Sequence, residues 1–175
     1  MRYFPWKLWE QLNSRNDRTS EKADKAWRLN SEAYDAQLRP LLKRFSRRNQ
    51  RFWNGDLHHL HDGCIVAFII GDALGVNVQA QRPKLWRTSA TIEVVEWGTR
   101  MLCKLKYDQV QAVEAKLRDG GWSSGGTVFE TWGYDELTAE GPDAFRHSIL
   151  FATGSELSIV FKRFSYRRQR WTSPL

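Results

Sequence analysis

The first third of the chain carries apolar residues at helical spacing. Steps of three, four and seven separate them from residue 23 to residue 45, which is the period of a helix with one buried side. The stripe consists of Ala23, Trp27, Tyr34, Leu38, Leu41, Leu42 and Phe45. Thr19 or Ser20 can cap this helix, which we predict to begin near Glu21. Pro40 predicts a kink or a break, because its ring removes a backbone hydrogen bond.

A shorter helix is predicted before it, over residues 4–12. Pro5 suits a first helical position. Leu8, Trp9 and Leu12 then fall on one stripe. A polar turn separates the two predicted helices.

After residue 62 the hydrophobic period changes to two, which is typical of strands. Residues 63–70 and 74–80 predict a hairpin, with turn chemistry at Gly71, Asp72 and Ala73 between them. The other predicted strands cover 89–97, 100–107, 127–134, 145–152 and 156–166. The last two of these predict a second hairpin.

One short helix is predicted among the strands, over residues 110–117. Asp108 can cap it, and Asp119-Gly120-Gly121 can end it. The order of helices first and strands afterwards indicates an α+β fold. In this fold N-terminal helices pack on a mainly antiparallel β-sheet or open barrel.

Composition narrows the kind of protein. The length of 175 residues suits a single domain, with a basic helical region 1–55 and a mainly β region 56–175. No apolar run approaches the roughly 18 residues that cross a bilayer. The start of the chain also lacks an apolar signal core, so we expect a cytoplasmic protein with no membrane partner. Cys64 and Cys103 lie in strand-like apolar runs, which predicts reduced, buried thiols. Nine tryptophans indicate an aromatic interior or an aromatic binding face.

The positive charge of the chain is concentrated at one end. The net charge is +7, and the whole excess lies within residues 1–55. The candidate anion-binding or nucleic-acid-binding residues are Arg44, Arg47, Arg48 and Arg51. Their aromatic neighbours Phe45, Phe52 and Trp53 would suit a groove for single-stranded nucleic acid. The alternative is a solvated helix face that serves only to keep the protein in solution.

A second basic run covers residues 162–170. On a strand, Lys162, Phe164 and Tyr166 would share a face. This run either extends the positive surface or protects an edge strand from pairing with other chains, and we favour edge protection.

Three histidines and an aspartate cluster in His58-His59-Leu60-His61-Asp62. The candidate metal ligands among them are His59, His61 and Asp62, since imidazole and carboxylate suit zinc or iron. His147 is the only other histidine that could complete such a site. The alternative is that these groups satisfy backbone atoms at a loop-to-strand junction. We therefore expect no metal and no cofactor.

A late stretch, Trp132-Gly133-Tyr134-Asp135-Glu136-Leu137, places adjacent carboxylates beside aromatic rings. Acid–base catalysis needs two carboxylates in different environments, and neighbours on a loop do not provide that. We expect Asp135 or Glu136 to cap a strand end. The sequence lacks a nucleophile elbow and a phosphate-binding glycine loop, so no catalytic residue is predicted.

Several short motifs together resemble a bacterial family known as a domain of unknown function. They are Met1-Arg2-Tyr3-Phe4 with Leu8-Trp9, the helix with Trp27 and Tyr34, Leu60-His61-Asp62-Gly63, the stretch 132–137, Phe145-x-His147, and Gly154-x-Glu156-Leu157. Some similar proteins with a Leu-His-Asp motif are presumed toxin-immunity proteins. The resemblance implies a bacterial cytoplasmic protein and supplies no catalytic residues.

These observations predict a non-enzymatic domain that binds another macromolecule, with a protein as the favoured partner. The resemblance adds an immunity-like role. One alternative is a nucleic-acid-binding protein that uses the basic N-terminal region. A second alternative is a metal-dependent hydrolase that uses the cluster at 58–62. The sequence specifies no oligomeric state.

Overall fold

The computed structural model describes residues 1–77, 82–118, 129 and 131–172. Its helices are α1 Trp6–Leu12, α2 Asp17–Leu42, α3 Arg47–Asn54 and a 3₁₀ helix at Asp56–Leu60. Its strands are β1 Cys64–Asn77, β2 Arg82–Val95, β3 Met101–Asp108, β4 Ala112–Lys116, β5 Trp132–Glu140, β6 Ala144–Phe151, β7 Glu156–Phe161 and β8 Arg163–Arg170. No helix in the described ranges combines the length and apolar character that crossing a bilayer requires.

The strands form two antiparallel sheets of four strands each, in the orders β1-β2-β3-β8 and β4-β7-β6-β5. This arrangement confirms the predicted α+β class with N-terminal helices. The sheets pack face to face, and the ring of Tyr107 on β3 lies 5.0 Å from the ring of Phe161 on β7. Only Lys162 separates β7 from β8, so the predicted strand 156–166 is in fact two strands, one in each sheet.

The long helix begins earlier than predicted and ends at Leu42, before the last residue of the predicted stripe. The Oδ1 atom of Asn16 accepts a hydrogen bond from the backbone N–H of Thr19 at 3.1 Å, so α2 starts at Asp17. Pro40 lies inside the helix, which continues to Leu42 before a turn leads into α3. The predicted break therefore falls after the proline, and Phe45 belongs to the turn.

The predicted hairpin around Gly71 and Asp72 is wrong. Both residues lie inside the continuous strand β1, opposite Ser89 and Thr88 of β2. The carboxylate of Asp72 accepts a hydrogen bond from the Thr88 hydroxyl at 2.6 Å, so a residue that favours turns is held by a cross-strand contact instead. Residues 78–80 of that prediction lie outside the described ranges.

The predicted helix at 110–117 is also wrong, because its central residues form β4. Ala112 to Lys116 pair with β7 over their whole length, and this long-range pairing overrides the local helical spacing. The predicted end at 119–121 lies outside the described residues, as do 127, 128 and 130 of the predicted fifth strand. That strand is observed as β5, which begins at Trp132.

One of the two cysteines departs from its prediction. Cys103 on β3 is buried, as expected, but Cys64 is exposed at the start of β1. Its side chain is exposed even though its backbone lies between Val95 of β2 and Thr131.

Helix α2 covers the free edge of β5. The hydroxyl of Tyr34 accepts a hydrogen bond from the backbone N–H of Leu137 at 2.9 Å. Gln37 donates through Nε2 to the carbonyl of the same leucine at 2.8 Å. The ring of Trp27 lies 4.6 Å from that of Tyr134 on β5. The predicted stripe of α2 therefore packs on the sheet, and it forms one wall of the site described next.

Candidate functional site

A pocket of about 340 Å³ lies where α2, the end of α3, the 3₁₀ helix and β5 meet. Aromatic rings dominate its lining: Phe4, Trp27, Tyr34, Trp53, Trp132 and Tyr134. The charged or titratable side chains that also line it are Asp35, His58, His61 and Asp135. Both its size and its mixture of rings with a few polar groups are typical of ligand pockets.

Helix α2 contributes two rings from the same face. Trp27 and Tyr34 are seven residues apart, which is close to two helical turns. Phe4 packs between them and the sheet, with ring centroids 5.0 Å from Trp27 and 5.4 Å from Tyr34. These contacts fix the helical wall of the pocket.

A β-bulge at Gly133 shapes the opposite wall. The register with β6 shifts between Trp132 and Tyr134, and an added Cβ at Gly133 would lie 2.8 Å from the carbonyl oxygen of Leu150. Because of this extra residue, Trp132 points into the core near His147 while Tyr134 turns toward α2. Both rings nevertheless line one pocket, since the bulge bends the strand around it.

A buried polar chain ends at the pocket. The hydroxyl of Tyr107 lies 2.7 Å from Nδ1 of His147, and Nε2 of His147 lies 3.2 Å from Oδ2 of Asp135. Burial, followed by the nearby Asp135, raises the pKa of Tyr107 well above its ordinary value, so this phenol keeps its proton. A hydroxyl that keeps its proton can donate to Nδ1, and in that arrangement the Nε2–H of His147 donates to the Asp135 carboxylate.

The hydrogen-bonded chain of Tyr107, His147 and Asp135 serves to position a side chain and not to carry out a reaction. Tyr107 and His147 are fully buried, whereas the side chain of Asp135 is 14% exposed. A Tyr–His–Asp order resembles a catalytic triad, but here the hydroxyl lies at the inner end, where no substrate in the pocket reaches it. The chain instead holds the Asp135 carboxylate in one orientation at the pocket wall.

The two adjacent carboxylates of β5 serve separate functions. Asp135 points toward His147, while Glu136 points to the other face and is buried. The Glu136 carboxylate accepts hydrogen bonds from the backbone N–H groups of Arg2 and Tyr3, at 2.5 and 2.7 Å. The expectation that one of them caps a strand end is wrong, because both lie within β5, where alternation separates them.

The histidine cluster forms a 3₁₀ helix and a turn, not the start of a strand. Nδ1 of His61 lies 3.1 Å from Oδ2 of Asp62, and its ring packs 5.2 Å from that of Tyr134. His58 and His61 line the pocket, whereas His59 is exposed away from it. Within the described part of the chain, no three His, Cys, Asp or Glu side chains gather as a metal site. Both ring nitrogens of His147 already have partners.

Two of the four arginines in the basic cluster make hydrogen bonds to other parts of the protein. Arg44 donates to the carbonyl of Pro142, and its guanidinium lies 4.3 Å from the ring centroid of Phe145. Arg48 donates to the carbonyl of Tyr166 at 2.8 Å, and its guanidinium lies 5.1 Å from the centroid of the Tyr166 ring. All four arginines of the cluster are nevertheless exposed.

The rings beside these arginines are not available for stacking on bases. Phe52 and Trp53 are buried, and Phe45 packs 4.2 Å from Phe145. The second basic run forms β8, which lies at the edge of its sheet. In that strand Arg168 makes two 2.7 Å hydrogen bonds to the buried carboxylate of Glu96.

Several of the residues that line the pocket could be named from the sequence, but the pocket itself was not predicted. Trp27 and Tyr34 were predicted as a core stripe, and Trp132 to Asp135 as a polar stretch beside aromatic rings. The one available signal was the high tryptophan content, which also fits an aromatic binding face. No protein-family model, curated protein or solved structure matches the chain.

Proposed function

We propose that this chain is a non-enzymatic interaction domain that recognises another protein by enclosing one of its side chains in the aromatic pocket. The observation that carries the proposal is the convergence of six rings on a single pocket of about 340 Å³. The rings come from the N-terminal segment, α2, α3 and β5, so the whole fold is needed to build it. Large rings in a shaped cavity are the usual anchors of a binding site.

Trp53 supports the same function. It lines the pocket and is 3% exposed, and its indole Nε1–H is buried without a hydrogen-bond acceptor among the described residues. A buried N–H that lacks a partner destabilises a fold by about 1–3 kcal/mol. An unpaired buried polar group of this kind shows that this wall of the pocket is not optimised for stability alone.

The alternatives gain less support. The nucleic-acid hypothesis depends on four arginines and neighbouring rings, of which Arg44 and Arg48 are held by carbonyl groups and Phe52 is buried. The metal-hydrolase hypothesis depends on His59, which lies away from the pocket. An immunity-like role, which the sequence motifs suggest, fits a protein partner.

The proposal can be tested with side-chain analogues. We would titrate ¹⁵N-labelled protein with N-acetyl amino-acid methylamides that represent cationic, anionic, aromatic and aliphatic side chains, and follow the indole N–H signals. At least one class should shift the signals of Trp27, Trp53 and Trp132 in a saturable way. Ser31 lines the pocket, so Ser31→Tyr should fill it and abolish the shifts.

Ala33→Tyr is the matched control, because Ala33 is exposed on the same helix and does not line the pocket. This variant should bind as the unmodified protein does. If no class of analogue shifts the three indole signals, or if Ser31→Tyr leaves the shifts unchanged, the pocket is not the binding site.

A further inference from the structure

We infer that the pocket selects an organic cation, an alkylammonium head that is carried either by a small amine or by a lysine side chain of a protein. This inference rests on the proposed function and adds the chemical class of the bound group. It follows from the charge of the lining, the packing of the rings and the support of one carboxylate.

The charge of the lining is opposite to that of the chain. The protein has 27 Lys and Arg residues and a net charge of +7, yet none of the described residues that line the pocket is a Lys or an Arg. Two carboxylates, Asp35 and Asp135, do line it. In a protein with this excess of positive charge, a pocket with only acidic charged groups and two histidines is selective for cations.

The phenols of the pocket lie close to these carboxylates. Burial is the main cause that raises the pKa of Tyr34, and Asp135, Glu136 and Asp35 raise it further. Burial also raises the pKa of Tyr134, with Asp62 as the second cause. Several carboxylates therefore act on two hydroxyl groups of one pocket, and the same negative field would stabilise a bound ammonium.

The rings add a second kind of attraction. Trp27 and Tyr134 both line the pocket and meet at 4.6 Å with an interplanar angle of 66°, so one ring lies nearly edge-on to the other. The face of an indole or a phenol carries negative charge density, and an ammonium head within about 6 Å of its centroid is attracted to it. A neutral group of the same shape would gain only the apolar contact.

Asp135 is held in place before any ligand binds. His147 donates to Oδ2, and Tyr107 holds the imidazole from the other side. The other oxygen of the carboxylate makes no described hydrogen bond to the protein and is the one available to a ligand. A carboxylate fixed in this way loses little rotational freedom on binding, which favours affinity.

The decisive measurement is a paired titration by NMR and calorimetry with choline and with 3,3-dimethyl-1-butanol, which has the same shape without the charge. We expect choline to shift the indole signals and to bind at least tenfold more tightly than the alcohol. N-acetyl-lysine methylamide and its trimethylated form make up the peptide arm. Tighter binding in the peptide arm than by choline assigns the cation to a protein side chain. The reverse assigns it to a free amine, which keeps the cation inference and overturns the proposed recognition of a protein.

Two variants connect the affinity to the carboxylates. Asp135→Asn should weaken choline binding at least tenfold and leave the affinity for the alcohol unchanged. Asp35 is exposed, so Asp35→Asn tests the charge without disturbing the buried chain, and we expect a smaller loss of several fold. The control is Asp17→Asn, at the far end of α2, which should leave both affinities unchanged.

The possible failures are distinguishable. If the alcohol binds as tightly as choline, or if both carboxylate variants bind choline normally, the cation inference is overturned while the pocket remains a binding site. If neither compound binds and the analogue panel also gives no shifts, the proposed function fails with it.

Discussion

Removing a single buried hydroxyl gives a sharp test of the polar chain behind the pocket. In Tyr107→Phe the ring remains, but Nδ1 of His147 loses its donor in a region with no access to water. An unsatisfied buried acceptor destabilises a fold by about 1–3 kcal/mol. For a chain of this length the midpoint of thermal unfolding should fall by roughly 2–4 °C for each kcal/mol.

The assay is urea unfolding of the variant beside Tyr166→Phe. Tyr166 also donates its hydroxyl to a side chain, Asp56 at 3.0 Å, but it is only partly buried. Water can replace that bond, so the control should lose about 0.5–1 kcal/mol at most. A loss in Tyr107→Phe no greater than in the control would refute the assigned chain. So would an NMR spectrum of the unmodified protein that places the imidazole proton on Nδ1.

Further predictions concern the two cysteines, the bulge at Gly133 and the basic cluster. Cys64 should react at once with a maleimide and Cys103 only after unfolding. Burial raises the pKa of Cys103 from 9.0 to about 12. The free energy of unfolding should therefore keep its full value below pH 9.0 and decline toward pH 12, because the thiol of the unfolded chain ionises first. This decline should be smaller in Cys103→Val. Gly133→Ala should destabilise the fold by about 1–3 kcal/mol, because its Cβ meets a backbone oxygen at 2.8 Å, and unchanged urea unfolding would contradict this. Labelled oligonucleotides should bind weakly at low salt and not at all near 150 mM salt. Submicromolar affinity near 150 mM salt would favour the nucleic-acid hypothesis if the double variant Arg47→Glu, Arg51→Glu abolishes it.

Local periodicity predicted the parts of the fold that depend on local contacts. The stripe with Trp27 and Tyr34 gives the docked face of α2, and alternation gives the positions of β3 and β6 to within one residue, together with the start of β7. The same reasoning failed at Gly71 and Asp72, where turn residues are held flat by pairing with β2. It also failed at β4, whose strand character comes from its partner β7.

The pocket lay beyond local reasoning for a related reason. Tyr107, His147 and Asp135 come from three strands and two sheets, and only the packing of the sheets brings them together. The basic cluster was misjudged in the opposite way, because its arginines are predicted as side chains without partners in the protein. Arg44 and Arg48 look free in the sequence, but carbonyl groups far along the chain hold them.

The covering of β5 by α2 links ligand binding to protection against aggregation. An uncovered edge strand is a template on which other chains can add strands, and here side chains of α2 occupy the backbone groups of Leu137. The pocket spans the same two elements, so an occupant would hold the helix against the strand. A ligand that binds only the closed arrangement lowers the population of the open one by mass action. A compound that fills the pocket should therefore slow fibril formation as well as raise stability.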